Sequence, residues 1–344
     1  MGPGLALTRS RAACPAPVAE CPLRENHPVA GISWGISFPF SWRALHMMRL
    51  GFVGVGAMGG RMAPHLVRAG HEVSVVDVSA EAVARAVAAG AKEASGPAEL
   101  AATCDAVLTS LPMGKDVEEV YLGEGGLIDA SGEGKLFIDL STVAPETSRR
   151  VAEAAAARGA VAIDAPVSGG VMGAEAASLT VMVGGPVEAF ERARPVLEKL
   201  GKNLIHVGGH GAGQVAKLCN NLIAGVTMVA AAEAFAMGQA SGVDPKVLHE
   251  VIRTSSGGGW VMEKDPPCPG LVEGSPASRN FEAGFTVDLM LKDISLAVSA
   301  LMALGLPCPT GAAANQVYRM ASRGGLGGLD MAAVAVLLGA AEAP

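Results

Sequence analysis

Lys217 and Asn221 close the run Gly211-Ala-Gly213-Gln-Val-Ala-Lys217-Leu-Cys-Asn220-Asn221, and the first of them is the best proton acceptor the sequence offers. The two stand four apart, so a helix starting near Gly213 projects them from one face. Their neighbours are almost all apolar. Desolvation lowers a lysine pKa from about 10.4 toward the working pH, and a neutral amine can then act as a base. The plain alternative is a lysine that lays its stem along a helix edge and keeps its amine in water. A second candidate is Asp164-Ala-Pro-Val-Ser168-Gly169-Gly170, directly after a strand candidate. Ser168 offers a hydroxyl there, and the two glycines expose backbone N–H groups to an approaching carboxylate. An ordinary Gly-rich turn has the same composition.

A third run addresses phosphate. Gly54-Val-Gly56-Ala57-Met58-Gly59 follows the apolar strand candidate Leu50–Val53 and opens a helix. The first glycine permits a tight turn, the second lets the backbone approach a pyrophosphate, and the third allows close helix–strand packing. The helix N-terminus adds free N–H groups and partial positive charge. Asp77 ends the next strand candidate, eighteen residues after Gly59, where a carboxylate accepts from ribose hydroxyls and repels a 2′-phosphate. It can equally cap the helix that follows. No arginine lies within four residues after it. Motif and acid together predict NAD rather than NADP.

Hydride leaves an alcohol carbon only as the hydroxyl loses its proton, so an NAD enzyme needs a base. The short-chain dehydrogenase pairing of Tyr with Lys four positions on is excluded, because Tyr121 and Tyr318 are followed at that distance by Gly125 and Ser322. Zinc chemistry has no ligand set: of seven histidines only His206 and His210 stand four apart, with glycines between them. No metal is expected.

The elements that must position these residues fall into two classes. Strand candidates are Arg49–Val53, Glu72–Val76, Ala106–Ser110, Leu136–Asp139, Ala160–Ala165, Leu179–Val183 and Asn203–Val207, with helices such as 58–69, 80–89 and 145–158 between them. Such alternation predicts an α/β Rossmann-type, doubly wound parallel sheet covered on both faces. From Gly213 the pattern is helical only, over 214–241, 245–255, 286–304 and 309–323. The expected domains are 48–212 for the dinucleotide and 213–344, all-helical, for substrate and dimerisation. Residues 1–47 lack either periodicity and read as an extension, from an upstream start or as a transit peptide. The expected location is the cytoplasm, or the mitochondrial matrix if that extension is a transit peptide.

Composition limits the partners. Net charge is −7 with no long basic run, which excludes a nucleic-acid partner held by phosphate neutralisation. Six cysteines without a C-x-x-C pair read as reduced thiols. Residues 222–240 are apolar enough for a membrane span, but Glu233 and Gln239 sit inside and no Lys/Arg cluster flanks them, so burial against a second copy of the chain is the better reading. A homodimer or homotetramer is expected.

In this order and spacing the motifs resemble the β-hydroxyacid dehydrogenases. The resemblance spans Met48 to about residue 338 and includes Phe285-Thr-Val-Asp-Leu-Met-Leu-Lys292-Asp293. Ser255-Ser-Gly257, Trp260 and Pro266-Pro-Cys-Pro-Gly270 are most similar to the 3-hydroxyisobutyrate branch. The resemblance implies that Lys217 is the general acid/base and that Asn221 holds substrate beside it. It implies that Ser168, Gly169 and Gly170 bind the substrate carboxylate. Lys292 would reach the cofactor, with Leu111, Pro112 and Thr142 lining the nicotinamide side. Asp116 departs from the pattern, since relatives often place Asn there. The implied reaction is NAD-dependent oxidation of a small hydroxy acid, 3-hydroxyisobutyrate. Reduction of tartronate or succinic semialdehyde, and a non-catalytic NAD-binding protein, are the alternatives.

Overall fold

A computed structural model describes residues 47–343. The expected extension over 1–47 falls, but for Met47, outside the described residues. The first half builds one sheet from β1 (Arg49–Val53), β2 (Glu72–Val76), β3 (Lys92–Glu93), β4 (Ala106–Thr109), β5 (Leu136–Asp139), β6 (Val161–Asp164), β7 (Val167–Ser168), β8 (Leu179–Gly184) and β9 (Gly201–Gly208). Between them run α1 (Gly59–Arg68), α2 (Ala80–Ala88), α3 (Pro97–Thr103), α4 (Gly114–Leu122), α5 (Pro145–Ala156), α6 (Gly170–Glu175) and α7 (Val187–Leu197). The order β3-β2-β1-β4-β5-β6 is parallel throughout and is the doubly wound arrangement expected from the alternation.

The central strands are apolar along most of their length because both sheet faces are covered, with polar residues only at their ends. Their side chains alternate between two cores. Leu50, Phe52, Leu108 and Ile138 pack beneath α1, α2 and α7, while Val53, Val107 and Phe137 pack against α3, α4 and α5. Beyond β6 the sheet departs from the expectation of parallel strands. β8 runs antiparallel to β6 and β7, and β9 pairs parallel to β8. Only residues 169–178 separate β7 from β8. A parallel crossover needs a dozen residues or more, so so short a link returns the chain in the opposite direction.

The second half is helical: α8 (Ala212–Ala240), α9 (Pro245–Arg253), α10 (Trp260–Lys264), α11 (Val287–Ala303), α12 (Pro309–Ala321) and α13 (Val334–Leu337). Its core gathers Met228, Ala232, Phe235, Met290, Ile294 and Tyr318. The first turns of α8 lie against β8 and β9, and its later turns pack on α11, α12 and α13. α8 is the one described helix long and apolar enough to cross a membrane. Met228, Ala232 and Phe235 bury its inner face in protein.

Candidate active site

One register row explains where the site lies. Val76, Val53, Thr109, Asp139 and Asp164 are neighbours across β2, β1, β4, β5 and β6, so all five strands end together. The segments that follow them, with Asp77, Gly54–Gly59, Leu111, Thr142 and Ser168–Gly170, therefore rise from one edge of the sheet. α8 and α11 close over that edge. Between them lies a cleft of about 850 Å³ whose walls include Gly54, Gly56, Asp77, Thr142, Lys217 and Lys292.

The phosphate turn is built by contacts that only glycine permits. Gly54 has φ +87°, and a Cβ there would stand 2.3 Å from the Ser110 carbonyl oxygen. A Cβ on Gly59 would stand 1.9 Å from the Gly54 carbonyl oxygen, so α1 could not approach β1 so closely. A Cβ on Gly56 would meet nothing within 4 Å, because this residue faces the open cleft. No side chain caps α1 and no acid stands in its first turn. Ala57, Met58 and Gly59 also line the cleft, so the helix N-terminus presents its partial positive charge where an anion can come. These residues fit a dinucleotide pyrophosphate.

Asp77 braces this turn as well as facing the cleft. Its Oδ2 accepts from the Val55 N–H at 2.7 Å and its Oδ1 from the Ser79 N–H at 2.8 Å. Ser79 is the cap of α2, accepting from the Ala82 N–H. Asp116 lies in the first turn of α4 and accepts from the Met113 N–H at 3.1 Å. Asp116 thus makes an N-terminal helix contact and adds a charge to the cleft wall. Leu111 donates its N–H to the Ser141 hydroxyl at 2.9 Å. Beneath, Asp139 accepts from Thr109 Oγ1 and from the Ser141 N–H, and burial raises its carboxyl to about 6.

Lys217 projects from α8 and is 6% exposed. Burial lowers its amine to about 8, opposed by the Asp293 carboxylate and assisted by the Lys292 ammonium. The amine lines the same cleft as the phosphate turn. Asn221, one turn further on, gives its side-chain N–H to Asp293 Oδ2 at 2.5 Å and accepts from Asn220 at 3.0 Å. Lys292 reaches back from α11 to the first half of the chain. Its ammonium donates to the carbonyls of Thr142, at 2.8 Å, and Pro112, at 3.1 Å, and lies 3.2 Å from Asp293.

Not every residue singled out in the sequence faces this space. Gly170, with Val171 and Val167, lines the cleft, whereas Ser168, Gly169 and Asn221 stand outside its lining. Ser168 pairs with Thr180 across β7 and β8, and Gly169 and Gly170 adopt φ +130° and +62° at the start of α6. No group of three or more metal-ligating side chains occurs among the described residues, and the four described cysteines are free.

Three residues that sequence reasoning left without a role hold the site together. Asp164 ends β6, is 3% exposed, and accepts from the N–H groups of Gly211 at 2.7 Å and Gln214 at 3.0 Å. It therefore caps α8 one turn before Lys217. Gln214, fully buried, accepts from the Val143 N–H and donates to the Ser141 carbonyl, pinning that turn to the end of β5. Asp293 ties α11 to Asn221. The available signals were a carboxylate ending an apolar strand, a Gln in an apolar helix start, and an acid inside Leu-Met-Leu-Lys-Asp-Ile.

Two family models match this chain. The NAD-binding domain of 6-phosphogluconate dehydrogenase matches residues 49–209, and the NAD-binding segment of NADP-dependent 3-hydroxyisobutyrate dehydrogenase matches 211–338. A 3-hydroxyisobutyrate dehydrogenase of Pseudomonas aeruginosa is 47% identical over 274 residues, covering 80% of this chain and 92% of that one. An NAD-dependent L-serine dehydrogenase of the same organism is 43% identical over 288 residues, covering 84% of this chain and 97% of its own. Among solved structures, the Mycobacterium tuberculosis 3-hydroxyisobutyrate dehydrogenase with L-serine superposes with a TM-score of 0.80 at 39% identity. It covers 85% of this chain and 99% of that one.

Proposed function

The chain belongs to the β-hydroxyacid dehydrogenase family, in its 3-hydroxyisobutyrate dehydrogenase branch, and from that membership we propose that it oxidises 3-hydroxyisobutyrate to methylmalonate semialdehyde with NAD, a step of valine breakdown. The observation that carries this reading is Lys217. A buried amine brought to about 8 shares one cleft with the dinucleotide turn.

NAD, when bound, supplies the hydride acceptor. The chain supplies the rest. Gly54–Gly59 and the α1 N-terminus hold the pyrophosphate, and Asp77 meets the adenosine ribose. Leu111, Pro112 and Thr142 wall the nicotinamide side, and Lys292 keeps the Pro112 and Thr142 carbonyls in place. The Ser168–Gly170 turn, whose Gly170 lines the cleft, takes the substrate carboxylate in this reading. Lys217 accepts the hydroxyl proton on Nζ while Asn221, fixed by Asp293, keeps substrate beside it.

Initial rates with NAD on 3-hydroxyisobutyrate, L-serine, glycerate and 4-hydroxybutyrate test the assignment. The highest kcat/KM is expected on 3-hydroxyisobutyrate. A higher value on L-serine would favour the second reading, an L-serine dehydrogenase, which the 43% identical relative supports. Both substrates carry the alcohol one carbon beyond the α position. The exposed face of α8 is mostly apolar, with Val215, Cys219, Ile223, Ala230 and Met237 around the single acid Glu233, and Ile223 and Met237 are each 69% exposed. We propose that a second copy of the chain covers it. Sedimentation of the protein as a monomer would overturn this. The described free cysteines suit a reducing compartment, the cytoplasm or the mitochondrial matrix.

A further inference from the structure

Charge in the cleft is unevenly placed. The lysines of its lining are Lys217 and Lys292, on α8 and α11. Away from them the same lining carries Asp77, Asp116, Glu119 and Glu124. Sheet order places these acids on both sides of the phosphate turn. β2 and β4 flank β1, so Asp77 rises beside the turn on one side, and α4 with the segment after it rises on the other. α4 begins next to Pro112, whose carbonyl holds Lys292, and Glu119 and Glu124 follow in sequence from that end. Glu118, on the same helix, pairs with Arg150, whereas Asp77, Asp116, Glu119 and Glu124 form no ion pair among the described residues.

Asp77 alone is an incomplete account of cofactor choice. Each of its oxygens already accepts a backbone N–H, from Val55 and from Ser79. Those donors offset part of its charge. NAD and NADP share the pyrophosphate, so repulsion of that group is common to both and cancels in their ratio. The 2′-phosphate is the sole difference, and its added negative charge is opposed by the unpaired carboxylates of the cleft, most strongly by those nearest to it.

Resting on the NAD reading above, we propose that Asp116, Glu119 and Glu124 form an acidic wall that acts with Asp77 to reject the 2′-phosphate of NADP. Asp116, in the first turn of α4, thereby gains a role in specificity. Selectivity is spread over two walls of the cleft rather than held at one ribose contact.

The test is direct binding of NADH and NADPH, followed by nicotinamide fluorescence without substrate. It uses the full chain and the triple variant Asp116→Asn, Glu119→Gln, Glu124→Gln with Asp77 intact. Glu119 and Glu124 are exposed, and Asn at 116 keeps an oxygen for the Met113 N–H, so the variant retains its fold. The ratio of the NADPH to the NADH Kd is expected to fall by about tenfold or more, mainly through tighter NADPH. Added salt should narrow the ratio in the parent chain and change it less in the variant, where Asp77 alone remains. A ratio within about twofold of the parent, while Asp77→Asn alone shifts it, would overturn the proposal. Failure of the parent chain to bind either dinucleotide would instead count against the NAD reading itself.

Discussion

The Asn221 side-chain amide donates to the Asp293 carboxylate across 2.5 Å, joining α8 to α11 one turn beyond Lys217. Asp293 is 1% exposed, and its other oxygen lies 3.2 Å from the Lys292 ammonium. One buried carboxylate thus fixes the amide beside the base, balances the neighbouring cation and acts on the base itself.

Asp293→Asn should move the pH profile in a defined direction. The carboxylate raises the Lys217 pKa against the lowering by burial, so its loss lowers that pKa further. The ascending limb of kcat/KM against pH for alcohol oxidation should shift to lower pH. An unshifted limb would show that the Asp293 charge does not reach Lys217.

Lys217 governs the sign of the pH response. Oxidation requires the neutral amine, so its rate should rise with pH to about 8 and then level. Aldehyde reduction requires the ammonium and should fall over the same range. Lys217→Ala should lower turnover by about a hundredfold or more with NADH affinity nearly unchanged. Lys217→Arg should not restore it, since a guanidinium keeps its proton. Turnover within a few-fold of the parent in either variant would remove Lys217 as the base.

Asp164→Ala removes the acceptor for two buried N–H groups at the start of α8. Leaving them unsatisfied should cost about 2–3 kcal/mol in urea unfolding. Asp164→Asn, which keeps one acceptor oxygen, should cost less. Equal stability of the Ala variant and the parent would show that α8 is held without this cap.

A buried carboxylate pair predicts falling stability with rising pH. Asp265 lies against Asp330, with the Tyr318 phenol nearby and all three inside the helical core. Asp330 accepts from the N–H groups of Gly284 and Phe285, so the pair anchors a segment of the cleft wall. Burial and the Asp330 charge push the Asp265 carboxyl up to about 8, from the 3.8 of an ordinary aspartate. Between those values the folded chain holds a proton that the unfolded chain releases, and stability falls as pH rises. Asp265→Asn should flatten that slope and raise the Tm near pH 8. The same slope in the variant would place its origin elsewhere.

Local order explains what was readable along the chain. The glycine turn announced itself because its three glycines, the strand before and the helix after lie within about twenty consecutive residues. β1, β4 and β5 were visible because a strand buried on both faces is apolar over most of its length. The two residues of β3, both exposed at the sheet edge, carry no such mark. The reversal at β8 depends on a link length whose meaning appears only once β7 and β8 are known to be neighbours.

By itself the sequence determined the doubly wound sheet, the helical second half, the phosphate turn and the pairing of Lys217 with Asn221 on one helix face. These follow from spacing within single elements. Only the tertiary structure decided that Asp164 caps α8 from 47 residues away, that Asp293 holds Asn221 across 72, and that Lys292 reaches the Thr142 carbonyl across 150. It alone brought Asp77 and the acids of α4 to opposite sides of one cleft. Periodicity records which face of an element is buried, but not what that face is buried against. Partners distant in the chain meet only when the strands end in a common row and the helices close over it.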